Sequence, residues 1–382
     1  MQRSIPITIM RGGTSRGIFF LEKDLPADGE IRNKVLLRVF GSPDPKQIDG
    51  LGGATSVTSK AAIIGPPSVE DADVNYTFAQ VSITTSLVDY KGNCGNISSA
   101  VGPFAIEQGF VKPVEPFTTV RIYNTNTKKI IVAEVPVQNG RVVFEGDYQI
   151  AGVPGTAAKI LLDFENPDGA VTGKLMPTGQ AREELDTGEG KFIVSIIDAA
   201  NPLVFIKASQ LGMTGIETPA EIDGNPELLR KLELIRSTAC ERLGFVADRR
   251  DATRLSPAVP KMTVVAPAST YVCSSGEEIS AENINLTARI MSMQKAHRDY
   301  AITGAVCTLI AAKIPNTVVA QVAGKSAAWD KELSLGHPGG IITMEIGLRI
   351  DEDGVIVDRA AVARTARTLL QGFAFIPADL WR

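Results

Sequence analysis

Gly92-Asn93-Cys94-Gly95-Asn96 places a thiol between two glycines, just where a helix-compatible run, Ile97-Ser98-Ser99-Ala100-Val101, begins. Amide N–H groups at a helix start lack intrahelical partners and carry partial positive charge, so negative charge is stabilised beside them. Glycine lets a ligand approach the backbone closely, and the flanking Asn side chains add donors. This is the chemistry of a proton-handling or nucleophilic thiol beside an anion. A small buried cysteine in a glycine turn is the plainer alternative.

Three other segments offer groups of the same kind. Arg11-Gly12-Gly13-Thr14-Ser15-Arg16-Gly17 joins two strand-like runs and supplies two guanidiniums, two hydroxyls and flexible N–H groups, a set suited to carboxylates. A polar hairpin would use the same residues. Lys60 lies between the hydroxyl-rich Gly52–Ser59 loop and the apolar Ala61–Ile64. Partial burial disfavours an ammonium, which is how a lysine becomes a usable base near neutrality. Gly336-His337-Pro338-Gly339-Gly340 precedes a strand-like run and suits either a backbone nest for an anion or a tight turn.

Composition narrows the chemistry. The 382 residues suit two domains, each with its own core. A net charge of −4 offers no nucleic-acid surface, and no apolar run approaches the roughly 20 residues of a membrane span. The N-terminus turns directly into strand-like alternation without a signal-peptide core, and the four cysteines are widely spaced, so a reducing cytoplasm is expected. No zinc or other metal site is indicated. With only His297 and His337 present, acid–base work falls to Lys, Cys or a carboxylate. Neither G-x-G-x-x-G nor a P-loop occurs, which argues against NAD and ATP. A cysteine hydrolase or redox enzyme would lack a His-Asp partner set or a resolving thiol.

These groups must be positioned by interleaved strands and isolated helices. Strand-like runs include Ile5–Ile9, Ile18–Leu21, Thr119–Tyr123, Ile130–Val137, Val142–Phe144, Phe192–Ile197, Leu203–Ile206, Met262–Val265, Ile341–Ile346 and Gly354–Val357. Helical periodicity predicts Glu30–Phe40, Pro226–Leu243, Ala281–Gln294 and Arg359–Leu370. Asn225-Pro226 reads as a cap with a first-turn proline. Two uncharged segments, Asn96–Gln108 and Thr303–Ile314, predict helices enclosed by other structure. Their similar Gly-containing starts suggest an internal duplication, with one central helix per half. Pro103 should kink or shorten the first helix. The Gly-rich Gly173–Gly190 segment reads as a linker or surface loop between the halves.

MRGGTSRGIFF, GSPDPKQIDGLGGATSVTSKAAII, DVNYTFAQVSI, GNCGNISSAVGPFAI, LGHPGG and the terminal ARTLLQGF, in this order, resemble the PrpF family of cofactor-independent isomerases nearly end to end. Its members include 2-methylaconitate isomerase, 3-methylitaconate Δ-isomerase and 4-oxalomesaconate tautomerase. The resemblance implies an α+β architecture of two similar diaminopimelate epimerase-like domains, each a curved, mostly antiparallel sheet around a central helix. The expected division is 1–185, completed by about 373–382, and 186–372, with the active site in the cleft between them.

The resemblance implies Lys60 as base and Cys94 as the thiol at the first central helix. Ala301 stands where racemising relatives carry a second catalytic cysteine, and Cys307 falls into the core. Losing one thiol argues against two-sided inversion at one carbon and suits a proton shift between carbons. Expected substrate contacts are Arg11, Thr14, Ser15, Arg16, Asn93, Gly95, Asn96, Asn201 of an Asn-Pro pair, Gly336, His337, Gly339 and Gly340. Cys94 either returns the proton or shapes the pocket. The implied reaction isomerises an unsaturated di- or tricarboxylate without cofactor or metal. The RGGTS and GGATS loops favour 2-methylaconitate, beside 3-methylitaconate and aconitate. The alternatives are an oxalomesaconate-type tautomerase and a non-catalytic carboxylate-binding protein. The expected partner is this small substrate, with no nucleic acid or membrane; homo-oligomerisation is left open.

Overall fold

Apolar residues alternating from Ile5 onward build the first layer of the structure. In the computed structural model, which describes residues 1–324, 326–351 and 354–381, β1 (Gln2–Gly12) and β2 (Ser15–Leu21) form an antiparallel hairpin around Gly13 and Thr14. Gly13 has φ +51°, a left-handed conformation in which glycine meets no Cβ penalty. There follow α1 (Gly29–Phe40), β3 (Lys60–Gly65), β4 (Val74–Val81), β5 (Val88–Asp89), α2 (Gly95–Glu107), β6 (Phe117–Asn124) and β7 (Lys129–Gln138). The late strand Ala366–Pro377 returns to pair with β1 from Gly12 back to Gln2.

The chain divides into two compact units, Met1–Asp163 with Ala363–Arg382, and Phe164–Val362. These breaks differ from the boundaries after 185 and 372 read from the sequence; Arg382 itself lies outside the described residues. Gly173–Gly190 therefore falls inside the second unit rather than between halves, and contains the strand Glu183–Asp186.

In the first unit the order is the C-terminal strand, β1, β2, β3, β4, β6, β7. Only the β2–β3 and β4–β6 pairs are parallel. Helix α2 touches strands from both ends of this order, so the sheet curves around it. Every residue from Gly95 to Ile106 is buried, as its lack of charge requires. Gly102 permits the approach: a Cβ there would stand 2.8 Å from the Val135 side chain. On the other sheet face, α1 packs Val35, Leu36, Val39 and Phe40 against Ile5, Ile7, Ile18, Phe20 and Ile63. Each such side chain contributes about 1.5–3 kcal/mol on burial. Asp28 caps α1 by accepting from the Ile31 amide at 2.9 Å, and Gly41 ends it in the left-handed conformation.

The second unit repeats this plan. Its strands Glu183–Asp186, Lys191–Ala199, Asn201–Lys207, Lys261–Pro267, Leu286–Ser292, Glu332–His337 and Gly340–Asp351 lie in that order, with parallel pairs in the same third and fifth places. Helix Ile302–Lys313, buried through Ala312, occupies the place of α2 between the fifth and sixth strands. Helix Pro226–Arg242, capped by Asn225, occupies the place of α1. The architecture is α+β, and the matching strand order carries the duplication that the two uncharged helices suggested.

Some local expectations fail for identifiable reasons. Ala281–Gln294 is a short 3-10 turn, Ala281–Asn283, followed by the strand Leu286–Ser292. That strand is buried at every position, so no alternation marked it. Arg359–Leu370 is not helical either: it belongs to the strands Gly354–Arg364 and Ala366–Pro377, whose pairing with Gly340–Asp351 and with β1 overrides the helical leaning of Ala, Arg and Leu. Strand structure at Val142–Phe144 reaches only Val142. Helix α2 runs through Pro103, its enclosure by the sheet compensating for one missing backbone donor.

Candidate active site

Lys60 opens β3 opposite two neighbours. It is level with Gly17 of the parallel β2 and with Gln80 of the antiparallel β4. Register partners share a sheet face, and Lys60 Nζ accordingly donates to Gln80 Oε1 at 2.7 Å. The Gln80 amide is oriented by its own donors: Nε2 reaches the carbonyls of Ser56 at 3.2 Å and Ser59 at 2.8 Å. The lysine is 7% exposed, with the Phe78 ring centroid 5.2 Å from Nζ. Burial lowers its pKa, while negative charge at Cys94 acts in the opposite sense. Held by a neutral amide, this lysine is disposed to give up its proton and accept another.

Cys94 is the N-cap of α2, with φ −130°, ψ 96° and no capping bond from its side chain. Its amide donates to Asn93 Oδ1 at 2.6 Å, and that oxygen also accepts from Asn124 Nδ2 at 3.0 Å. The Cys94 carbonyl accepts from the Ser98 amide and hydroxyl at 2.9 and 3.0 Å. The thiol is thus fixed through its backbone, beside Gly95 at the first helical position. Tyr76 donates to the same carbonyl at 3.5 Å. Burial, and then charge at Cys94, push the Tyr76 phenol well above its ordinary pKa, so it stays protonated.

Strand alternation sorts the Arg11–Gly17 segment between two faces. Gly12 and Gly17 face α2: a Cβ on Gly12 would collide with the Asn96 carbonyl, and one on Gly17 would lie 2.9 Å from Ile97 Cδ1. Ser15, the partner of Gly12, shares that side; it is buried and its Oγ has no hydrogen-bond partner. Thr14 and Asn96 are committed to each other. Asn96 Nδ2 donates to Thr14 Oγ1 at 3.1 Å and Oδ1 accepts from the Thr14 amide at 3.3 Å. Asn96 thereby braces the hairpin turn against α2.

Arg11 and Arg16, register partners of one another, start from the opposite face. Arg11 Nη1 is held by the carbonyls of Gly13 and Thr365 at 3.0 and 3.1 Å and by Thr365 Oγ1 at 2.9 Å. The structure therefore brings Lys60, Cys94, Asn93, Gly95 and Ser15 to the α2 side of the first sheet, and leaves the two arginines out of that group.

The remaining sequence candidates belong to the second unit. Asn201 opens a strand, fully buried, with neither amide atom hydrogen-bonded. Thr303, in the first turn of Ile302–Lys313, has a buried hydroxyl in the same condition. Gly336 and His337 end a strand and Gly340 begins the next, so this segment is a hairpin turn. Tyr271 clasps it by donating to the carbonyls of His337 and Gly340, both at 2.7 Å. The Gly339 amide donates to His337 Nδ1 at 3.1 Å and is occupied within the turn. Ala301 is the N-cap of its helix, as Cys94 is of α2. Cys307 is buried in that helix, donating to the Ile197 carbonyl at 3.3 Å, and burial pushes its thiol well above the usual range.

Sequence reasoning missed Gln80 and Tyr76. The available sign was a glutamine inside the apolar run Phe78-Ala79-Gln80-Val81, a polar side chain that a buried strand must satisfy. Among the described residues no group of three or more His, Cys, Asp or Glu could hold a metal, and no helix is long and apolar enough to cross a membrane.

Comparison with known proteins adds four findings. The family described as PrpF protein matches residues 2–377. The chain is 50% identical over 376 residues to 3-methylitaconate isomerase of Eubacterium barkeri, covering 98% of each chain. It is 41% identical over 393 residues to 2-methyl-aconitate isomerase of Shewanella oneidensis, again covering 98% of each. Among solved structures, methylitaconate-delta-isomerase aligns with a TM-score of 0.80 at 48% identity, over 100% of this chain and 97% of that one.

Proposed function

The chain belongs to the PrpF family and is an isomerase, and we propose from this premise that it shifts a proton and a double bond within a small unsaturated dicarboxylate of the 3-methylitaconate type. The observation that carries the reading is the pairing of a buried Lys60, held by a neutral Gln80, with Cys94 at the uncapped start of α2. The sequence favoured 2-methylaconitate; the higher identity to a 3-methylitaconate isomerase, 50% against 41%, moves the preference.

In 3-methylitaconate the C–H beside one carboxylate is also allylic to a methylene group. Lys60, as the free amine, removes that proton, and the electron pair spreads over the allylic carbons and the carboxylate. The first-turn amides of α2 and the unpartnered Ser15 hydroxyl face the region where this charge develops, and fixed donors of that kind are commonly the largest catalytic contribution. Cys94 delivers a proton to the methylene carbon, which becomes a methyl group. One C–H bond breaks, one forms, the double bond moves inward, and no electrons leave the substrate. The reaction needs no resident cofactor, and the expected setting is cytoplasmic.

The test is proton NMR in deuterated water with 3-methylitaconate, 2-methylaconitate and aconitate supplied separately. Isomerisation with deuterium appearing in the product of the first acid supports the reading. Binding of all three without exchange or isomerisation would overturn it in favour of a carboxylate-binding protein.

A further inference from the structure

The first sheet carries a second concentration of charge on the face away from Lys60, and the proposed reaction does not use it. Arg367 of the C-terminal strand is the register partner of Arg11 in β1, which in turn partners Arg16 in β2. Three guanidiniums thus begin from one row on one face. Like charges directly opposite on neighbouring strands destabilise a sheet, and among the described residues no acid is paired with any of the three. Arg11 donates only to neutral acceptors. Burial, and then the charge on Arg367, lower its pKa.

Arg11 and Arg367 open into a cavity of about 80 Å³, also lined by Tyr148, Thr156, Thr365 and Glu145. A water occupies roughly 30 Å³ in the liquid, so there is room for a small polyatomic group. Glu145 is the one acid on this wall and is exposed, while Lys159 adds positive charge nearby, 5.5 Å from the Tyr148 ring. One nitrogen of Arg11 is anchored in three hydrogen bonds, which orients the guanidinium in advance of any ligand.

We propose that this cavity is a second anion site, in which Arg11 and Arg367 together hold a single carboxylate or phosphate group. The guanidinium fork matches either oxyanion. A bound anion would cancel the repulsion along the row. It would also bear on the reaction site, because Arg11 holds the Gly13 carbonyl and Thr365 accepts from the Gly13 amide at 2.9 Å, in the turn that presents Ser15.

Thermal unfolding of the whole chain tests this at constant ionic strength. The probes are inorganic phosphate and tricarballylate, a saturated tricarboxylate that cannot isomerise. For the wild type, Tm should rise above the chloride control with the logarithm of probe concentration. The probe that acts identifies the source of the anion. Arg367→Gln should abolish the rise, keep kcat/KM near wild type, and be at least as stable as wild type in chloride, since it relieves repulsion. Arg367→Lys, which keeps the charge but loses the fork, should show a weaker rise. Lys60→Met should retain the full rise. The proposal is overturned if neither probe raises the wild-type Tm, if Arg367→Gln and Arg367→Lys both keep the full rise, or if the rise disappears in Lys60→Met.

Discussion

Replacing Gln80 by Glu should convert Lys60 from a base into a spectator ammonium. The acceptor oxygen lies 2.7 Å from Nζ, so a carboxylate there would attract the ammonium by about 6 kcal/mol at an effective dielectric of about 20. Desolvating the new carboxylate offsets much of this. The two carbonyls of Ser56 and Ser59 that now accept from Gln80 would also face it. A net rise of about 1–3 units in the lysine pKa is the reasonable range. Below that pKa each unit removes about nine-tenths of the free amine, so kcat/KM at neutral pH should fall between about tenfold and a thousandfold. The assay is the pH profile of kcat/KM. Its ascending limb should move to higher pH in Gln80→Glu, with activity recovering as pH rises. Gln80→Met, which removes the acceptor without adding charge, should lower kcat without that alkaline recovery. Circular dichroism separates either effect from misfolding. A folded Gln80→Glu enzyme whose limb stays at the wild-type position would refute the assignment of Lys60 as the titrating base.

Three further outcomes follow from the same geometry. Lys60→Met should abolish turnover yet raise Tm at pH 7. The folded pKa of Lys60 is lowered while the unfolded lysine titrates near 10.4, so the unfolded chain binds the extra proton and wild-type stability rises with pH across that interval. The advantage of the mutant should therefore shrink towards pH 10; a mutant less stable at pH 7 by a pH-independent margin contradicts the account. Asn96→Ala should cost about 1 kcal/mol by denaturant titration, because the half-buried Thr14 amide and hydroxyl lose their bonds to it, and should lower kcat by loosening the turn before Ser15. Prolonged EDTA treatment and dialysis should leave activity unchanged; recovery of a lost activity on adding a divalent metal would contradict the mechanism.

Local chemistry made part of this candidate site legible. Cys94 and Lys60 stand at the junction of a polar loop with an apolar element, and adjacency in sequence suffices to see that. The enclosed helices were legible for a related reason, since a stretch without charge has to be covered. Gln80 was hidden because its role depends on pairing across 20 residues of chain, which the register of β3 with β4 decides. The arginines of RGGTSR illustrate the opposite case. Neighbours in a loop motif look like one binding set, but strand period turns Arg11 and Arg16 away from Ser15. The helices expected at 281–294 and 359–370 failed because strand pairing outweighs local propensity: the first segment pairs with Lys261–Pro267, and the second divides between a hairpin with Gly340–Asp351 and pairing with β1 at the far end of the chain.

The duplication bears on how the proton returns. In each unit the fourth strand opens on a lysine, Lys60 and Lys261, and the enclosed helix has its N-cap at Cys94 or Ala301. Inversion at one carbon needs acid and base on opposite faces, and the methyl of Ala301 can serve as neither. In the proposed reaction the proton chemistry is then assigned to the first unit, with two routes: Lys60 carries the same proton from one carbon to the other, or Cys94 supplies a different one. Substrate deuterated at the abstracted position distinguishes them in ordinary water. If Cys94 is the donor, the new methyl group carries solvent hydrogen and the label is lost from Lys60. If Lys60 returns what it took, up to about a third of the first-turnover product keeps deuterium in the methyl group, because the ammonium holds three equivalent hydrogens. We expect an unlabelled methyl group, together with a large fall in kcat for Cys94→Ser. Label retained in the methyl group would assign both transfers to Lys60 and reduce Cys94 to a wall of the pocket.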